Sequence, residues 1–157
     1  MFCFAATTPP QVGAGPVPLG LAMHFGGDPD GAGREMLDIL IQPALGDLGA
    51  VIVAPDSLAG GWSSPRNEQA VNALLTAVEK SYAIDLKKVI VTCYSMGCDG
   101  TWYLAGKYAA RFSSAVPVSG TPPSTATTWR VPVFAVHSPA VNVHPIGPPA
   151  LRIHDLI

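Results

Sequence analysis

Charge is scarce in this 157-residue chain: only 13% of residues are Asp, Glu, Lys or Arg, and they sum to a net charge of −2. With a pI near 6.0 and no run of like charges, the chain offers no basic face, so nucleic-acid binding is not expected. Long apolar runs are also missing. Nothing approaches the ~18 residues that a membrane span needs, and Met1 to Ala6 lacks the basic start and long apolar stretch of a secretory signal. No membrane span is therefore expected, and a cytoplasmic location is. Cysteine is limited to Cys3, Cys93 and Cys98, an odd number without metal-ligand spacing. Cys93 and Cys98 are expected to pack as small buried residues, following the burial habit of free cysteine. The pairs Gly26-Gly27 and Gly60-Gly61 lack the G-x-x-x-x-G-K-[ST] context of a phosphate loop, which argues against nucleotide hydrolysis. No metal and no organic cofactor is implied.

What the chain does hold is apolar bulk. A hydrophobic content of 48% and a mean hydropathy of +0.32 describe one globular domain, residues 1–157, with a generous core. Residues 7–18 are rich in Pro and Gly and read as a loop, and a strand is expected from about Leu19 to His24. A helix over 34–41 places Met36, Leu37, Leu40 and Ile41 on one face, with a break at Pro43 before a turn at Leu45 to Leu48. Further expectations are a strand at Ala50 to Ala54 and a helix at about Asn67 to Ser81 carrying Val71, Leu74, Leu75 and Val78. A strand at Lys88 to Thr92, a helix to about Tyr108 and strands at Ser114 to Val118 and Val131 to Val136 complete the pattern. Continuous apolar strands separated by helix-length segments indicate an α/β fold: a doubly wound, mostly parallel sheet of about five or six strands.

The most informative stretch is Val89-Ile90-Val91-Thr92-Cys93-Tyr94-Ser95-Met96-Gly97. It runs a buried strand into a serine framed by small residues and then into a helix, as in the G-x-S-x-G nucleophile elbow. Gly97 fills the second glycine position and Cys93 replaces the first. Ser95 is the candidate nucleophile for acyl transfer, set against the alternative of a serine capping the following helix. The backbone N–H of Met96, at the helix start, is placed to stabilise an oxyanion. Cys93 is the poorer nucleophile, since it precedes the turn and no basic neighbour is visible to lower its pKa.

The flanks carry a resemblance. Pro18-Leu19-Gly20-Leu21-Ala22-Met23-His24-Phe25-Gly26-Gly27, then Ala50-Val51-Ile52-Val53-Ala54-Pro55-Asp56, then Cys93 to Gly97 with Gly100-Thr101-Trp102-Tyr103-Leu104-Ala105, then Arg111 to Gly120, follow one another in order. Up to about Ala150 the chain resembles a small serine esterase of the α/β-hydrolase superfamily, in its phospholipase/carboxylesterase and dienelactone-hydrolase-like branch. The resemblance implies that the amide of Phe25 or Gly26, with Gly26 preferred, is the second oxyanion donor. It also implies that His24 organises the oxyanion loop rather than acting as the base.

The same resemblance exposes substitutions. The family's acid follows the strand corresponding to Val131 to Val136, and its histidine follows one further strand. Here Val141 or Asn142 falls where the acid belongs, and Ile157 is reached before the final strand and histidine loop. A truncated or decayed enzyme, or a rewired base, is the expectation. His144, on the loop at the carboxyl end of the sheet, and His154 are the candidates for that base, while His137 reads as a core or loop-organising residue. A sheet without its last strand leaves Val131 to Val136 as an apolar edge, so a homo-oligomer through that edge is expected. Asp56 reads as a loop organiser, Trp102 as packing under the elbow, and Trp62 and Trp129 as candidate walls of an acyl pocket. The sequence thus points to a serine carboxylesterase acting on a small-molecule, short-acyl ester. The alternative is a hydrolase-derived binding or oligomerisation domain that has lost its catalytic acid and base.

Overall fold

A computed structural model describes residues 1–9, 15–59, 61–126, 130–138 and 140. Five strands form one sheet: β1 Phe4–Thr7, β2 Val17–Met23, β3 Val51–Pro55, β4 Ile84–Tyr94 and β5 Ser114–Val118, in the spatial order β1-β3-β2-β4-β5. β1 runs antiparallel to β3, and the other pairs are parallel. The parallel strands are apolar on both faces, as a doubly covered sheet requires. In β2, Leu19, Leu21 and Met23 join one core with Val89, Val91 and Cys93 of β4. Ala22, with Ile52 and Ala54 of β3, belongs to a second core.

Helices α3 Pro65–Ser81 and α4 Gly97–Lys107 cover the first face through Val71, Leu74, Leu75 and Val78 and through Trp102, Leu104 and Ala105. The second face is covered by α1 Ala32–Met36, a π-helical turn at Leu37–Ile41 and α2 Gln42–Leu45. The helix expected to break at Pro43 continues through it. Gln42 N–H bonds back to Leu37 O, a wider i→i−5 turn, and Pro43 follows near the start of the next helical turn, where its missing N–H costs little. A 3₁₀ turn, Gly46–Leu48, ends this layer.

Two strand expectations need correction. β1 was not anticipated, because only Ala5 of its four residues is buried and so short a segment shows no period. Val131 to Val136 does not form a full strand. It lies parallel to β5 through two isolated bridges, Ala115 with Val133 and Val118 with Val136, and between them Pro117 of β5 lacks the N–H that would continue the ladder to Phe134 O.

The loop between β3 and α3 is held by a residue the sequence did not single out. Asn67 is wholly buried; its side-chain amide donates to Leu58 O (2.9 Å) and Gly61 O (2.7 Å) and its carbonyl accepts from Leu58 N–H (2.7 Å). Ser64 caps α3 by accepting from Asn67 N–H, with Pro65 following at a position that needs no donor. Asn67→Ala removes all three bonds and strips Leu58 N–H and Leu58 O of the side chain that pairs them, while Gly61 O keeps Ser64 N–H (3.1 Å); it is expected to lower the unfolding free energy by about 2 kcal/mol in denaturant titration.

Glu68 links α3 to α4. It accepts from Tyr103 Oη (2.5 Å), from Tyr108 Oη and from Lys107 Nζ (2.7 Å). The hydrogen bonds from Lys107 first, then from Tyr103 and Tyr108, lower its pKa from 4.5 to about 2. A lowered carboxyl pKa stabilises the fold above 4.5, and that contribution is lost as pH falls toward 2. Glu68→Gln is expected to flatten the stability profile across this window, as read by thermal unfolding at stepped pH.

Candidate active site

β4 ends at Tyr94, a two-residue turn carries Ser95 and Met96, and α4 begins at Gly97. Ser95 has φ 53°, a left-handed conformation that L-residues rarely adopt. The turn is held from both sides: Ser95 N–H donates to Val118 O (3.0 Å), and Ser95 O accepts from Cys98 N–H (2.9 Å). Gly97 is required by close approach. A Cβ there would lie 2.2 Å from Met23 O and 2.6 Å from His24 O, so the elbow rests directly on the backbone end of β2.

Cys93 and Cys98 are both fully buried, as expected, but they are not free thiols: a disulfide joins them across the turn, with Cα atoms 5.1 Å apart. Strand end and helix start fold back on each other here, which brings the two sulfurs together despite four intervening residues. The sulfur of Cys93 is therefore no nucleophile.

β2 pairs with β4 in register, Met23 opposite Cys93, so the segment His24-Phe25-Gly26-Gly27 emerges beside the elbow. Gly26 faces Met96: a Cβ on Gly26 would stand 3.7 Å from Met96 Sδ and 3.8 Å from Met96 Cβ. Ser95, Met96, Gly26 and Phe25 are thus neighbours at the carboxyl end of the sheet. The Met96 amide lies at the N-terminal end of α4, where the helix dipole favours negative charge.

His24 is wholly buried, and both ring nitrogens are used. Nδ1–H donates to Phe25 O (2.6 Å), and Nε2 accepts from Ser57 N–H (2.9 Å). Burial lowers its pKa, outweighing the Phe25 carbonyl and Asp56, so the ring is neutral and braces the turn. Trp62 packs edge-on against this ring at 4.9 Å and donates from Nε1 to His24 O (3.1 Å). It is buried beneath the turn and does not line an open acyl pocket, contrary to expectation. Asp56 accepts from Gly33 N–H (2.8 Å) and Gly31 N–H (3.2 Å), fixing the start of α1.

An apolar cavity of about 270 Å³ lies beside the elbow, lined by Phe25, Met36, Ile39, Leu40 and Tyr94. The Phe25 and Tyr94 rings meet edge to face at 6.1 Å. A larger cavity of about 580 Å³, lined in part by Ser63, Asp99, Trp102 and Thr121, runs along α4 and is bordered by neither Ser95 nor Gly26.

One residue was missed. Ser119 has φ 57°, and it and Ser95 are the two non-glycine residues with positive φ among the described residues. They follow Val118 and Tyr94, which are paired in register, so two strained serines stand side by side at the carboxyl end of the sheet. Backbone strain of this kind collects at functional sites. The signal in the sequence was Ser119-Gly120 directly after an apolar strand.

No histidine among the described residues hydrogen-bonds Ser95. His137 bonds Ser138 O through Nδ1 (3.1 Å), and its Nε2 is buried without a partner among the described residues. His144, His154, Val141, Asn142 and Trp129 lie outside the described residues. Among the described residues no cluster of His, Cys, Asp or Glu is fit to hold a metal ion, and no helix is long and apolar enough to cross a membrane.

Neither protein-family models nor curated proteins give a match to this sequence. Solved structures do match in shape. A thermostable esterase superposes with a TM-score of 0.85 at 18% identity over 99% of this chain, which spans 47% of that protein's length. Esterase PE8 gives a TM-score of 0.74 at 14% identity, covering 99% of this chain and 83% of its own. A phospholipase/carboxylesterase from Dyadobacter fermentans DSM 18053 gives 0.67 at 13% identity, covering 98% and 80%. The chain has the α/β-hydrolase fold that these structures share.

Proposed function

We propose that this chain is a serine carboxylesterase that hydrolyses small, short-acyl esters through an acyl-enzyme on Ser95. The strained Ser95, set at the strand-to-helix turn with Gly26 facing Met96 beside it, is the observation that carries the reading. Ser95 Oγ attacks the ester carbonyl, and the resulting oxyanion is met by the amides of Met96 and Gly26, with Phe25 as the alternative second donor. The alcohol leaves with the proton taken from Ser95, and water then releases the acid. His144 is assigned as the base, with His154 as the alternative. The 270 Å³ cavity beside Tyr94 suits a short acyl chain.

Purified protein should hydrolyse p-nitrophenyl acetate and butyrate, with kcat/KM falling for the dodecanoate, and a pH profile that rises through the ordinary histidine range and is lost in His144→Ala. No turnover of any of the three esters would sink the reading.

A second reading, a hydrolase-derived assembly domain, is favoured by the sheet edge. Phe134 and Val136 are 71% and 44% exposed beside β5, and no base meets Ser95 among the described residues. Self-association through this edge predicts a dimer by light scattering and a monomer for Phe134→Asp.

A further inference from the structure

We infer that the Cys93–Cys98 disulfide is a positioning cross-link for the nucleophile turn, doing by covalent constraint what small, flexible residues at these places do not. In kinetic terms the inference rests on the esterase reading above.

The argument starts from where the bond lies. It encloses only Tyr94, Ser95, Met96 and Gly97, the turn that carries both the nucleophile and one oxyanion donor. A loop this short removes comparatively little freedom from the unfolded chain, so the constraint falls on the turn itself. Cys93 is the last buried residue of β4 and Cys98 lies in the first turn of α4, so the bond fixes the angle at which the helix leaves the strand.

That angle matters because Ser95 occupies a left-handed conformation that the backbone would relax if its ends were free. The sulfur pair is also seated against the neighbouring strand. Cys98 Sγ lies 3.2 Å from Val118 O, the carbonyl that accepts from Ser95 N–H. A Cβ on Gly120 would fall 2.2 Å from Cys98 Cβ and 2.8 Å from its sulfur, so the bare backbone at Gly120 makes the seat. Strand end, turn, helix start and the neighbouring strand are thus tied at one point, less than a turn of helix from Ser95. Both sulfurs are fully shielded from solvent, which protects the bond from casual exchange.

The test compares wild type with Cys93→Ala/Cys98→Ala, well below the unfolding temperature of each. Mass spectrometry of non-reduced, alkylated wild type should find Cys93 and Cys98 joined; two alkylated thiols would overturn the proposal. With p-nitrophenyl acetate, kcat should fall about tenfold or more in the variant while KM stays within about twofold. A variant that melts earlier but keeps its kcat, or that changes KM alone, would overturn it, because a merely structural bond moves stability and not the chemical step.

Should the variant fail to fold, wild type opened with a water-soluble phosphine serves instead. The phosphine takes oxygen from water to become its oxide as the S–S bond becomes two thiols, and the same kinetic split is read. Should wild type itself not turn over, the esterase reading fails, and amide exchange at Ser95 and position 98 decides the positioning claim alone. Exchange about tenfold faster without the bond sustains it, and equal exchange overturns it.

Discussion

Ser95→Ala is expected to lower kcat on p-nitrophenyl acetate by roughly a thousandfold or more, leaving the fold intact. The hydroxyl is the bond-forming group in the proposed reaction, and oxyanion donors and binding alone supply only the residual rate of a serine hydrolase without its nucleophile. Ser95 is half-buried and its backbone, not its side chain, makes the bonds that hold the turn, through Ser95 N–H to Val118 O and Ser95 O from Cys98 N–H. Denaturant midpoints of the variant and wild type should therefore agree closely. Alanine accepts the left-handed conformation no better than serine, so a small loss of stability is consistent with the account, whereas retained turnover is not.

Gly97→Ala should do the reverse and damage both fold and site. Its new methyl would lie 2.2 Å from Met23 O, 2.6 Å from His24 O and 2.7 Å from Met23 C, all backbone atoms with no side chain to yield. The elbow must lift from the end of β2, which parts Met96 from Gly26. A cost of about 3 kcal/mol in unfolding free energy is expected, and a shift of about 1 Å at the site should reduce kcat of the folded fraction about a hundredfold. Chemical denaturation and active-fraction kinetics measure the two effects separately. Stability and kcat both near wild type would show that the contact between β2 and the elbow is looser than the structure has it.

Most of the scaffold was legible because its signals are periodic and local. Val71, Leu74, Leu75 and Val78 announce the buried face of α3, and the apolar run Ser114–Val118 appears as β5 with the expected bounds. The elbow was legible because a strand, a serine and a glycine occur together. What escaped was set by contacts distant in sequence. β4 begins at Ile84, well before its apolar stretch, because backbone pairing of Ile84 with Val17 carries the polar residues Asp85, Lys87 and Lys88 into a strand.

The same holds within the site. Cysteine count and spacing could not reveal that the turn folds Cys98 back onto Cys93. Trp62 looked like a free wall for a ligand, yet its indole N–H is bound to the carbonyl of His24, 38 residues away in sequence. Asn67 holds the loop before α3 through three bonds to Leu58 and Gly61 that no local pattern predicts. That Ser119 stands next to Ser95 across β4 and β5 is something only the register discloses.

The most direct measurement is covalent labelling of the purified protein with a fluorophosphonate, followed by digestion and mass spectrometry of the peptide that carries Tyr94, Ser95 and Met96. A stoichiometric adduct on Ser95, absent when the protein is unfolded before labelling, is the predicted result. An unmodified Ser95 in folded protein, or an adduct on another residue, would contradict the assignment of Ser95 as an activated nucleophile.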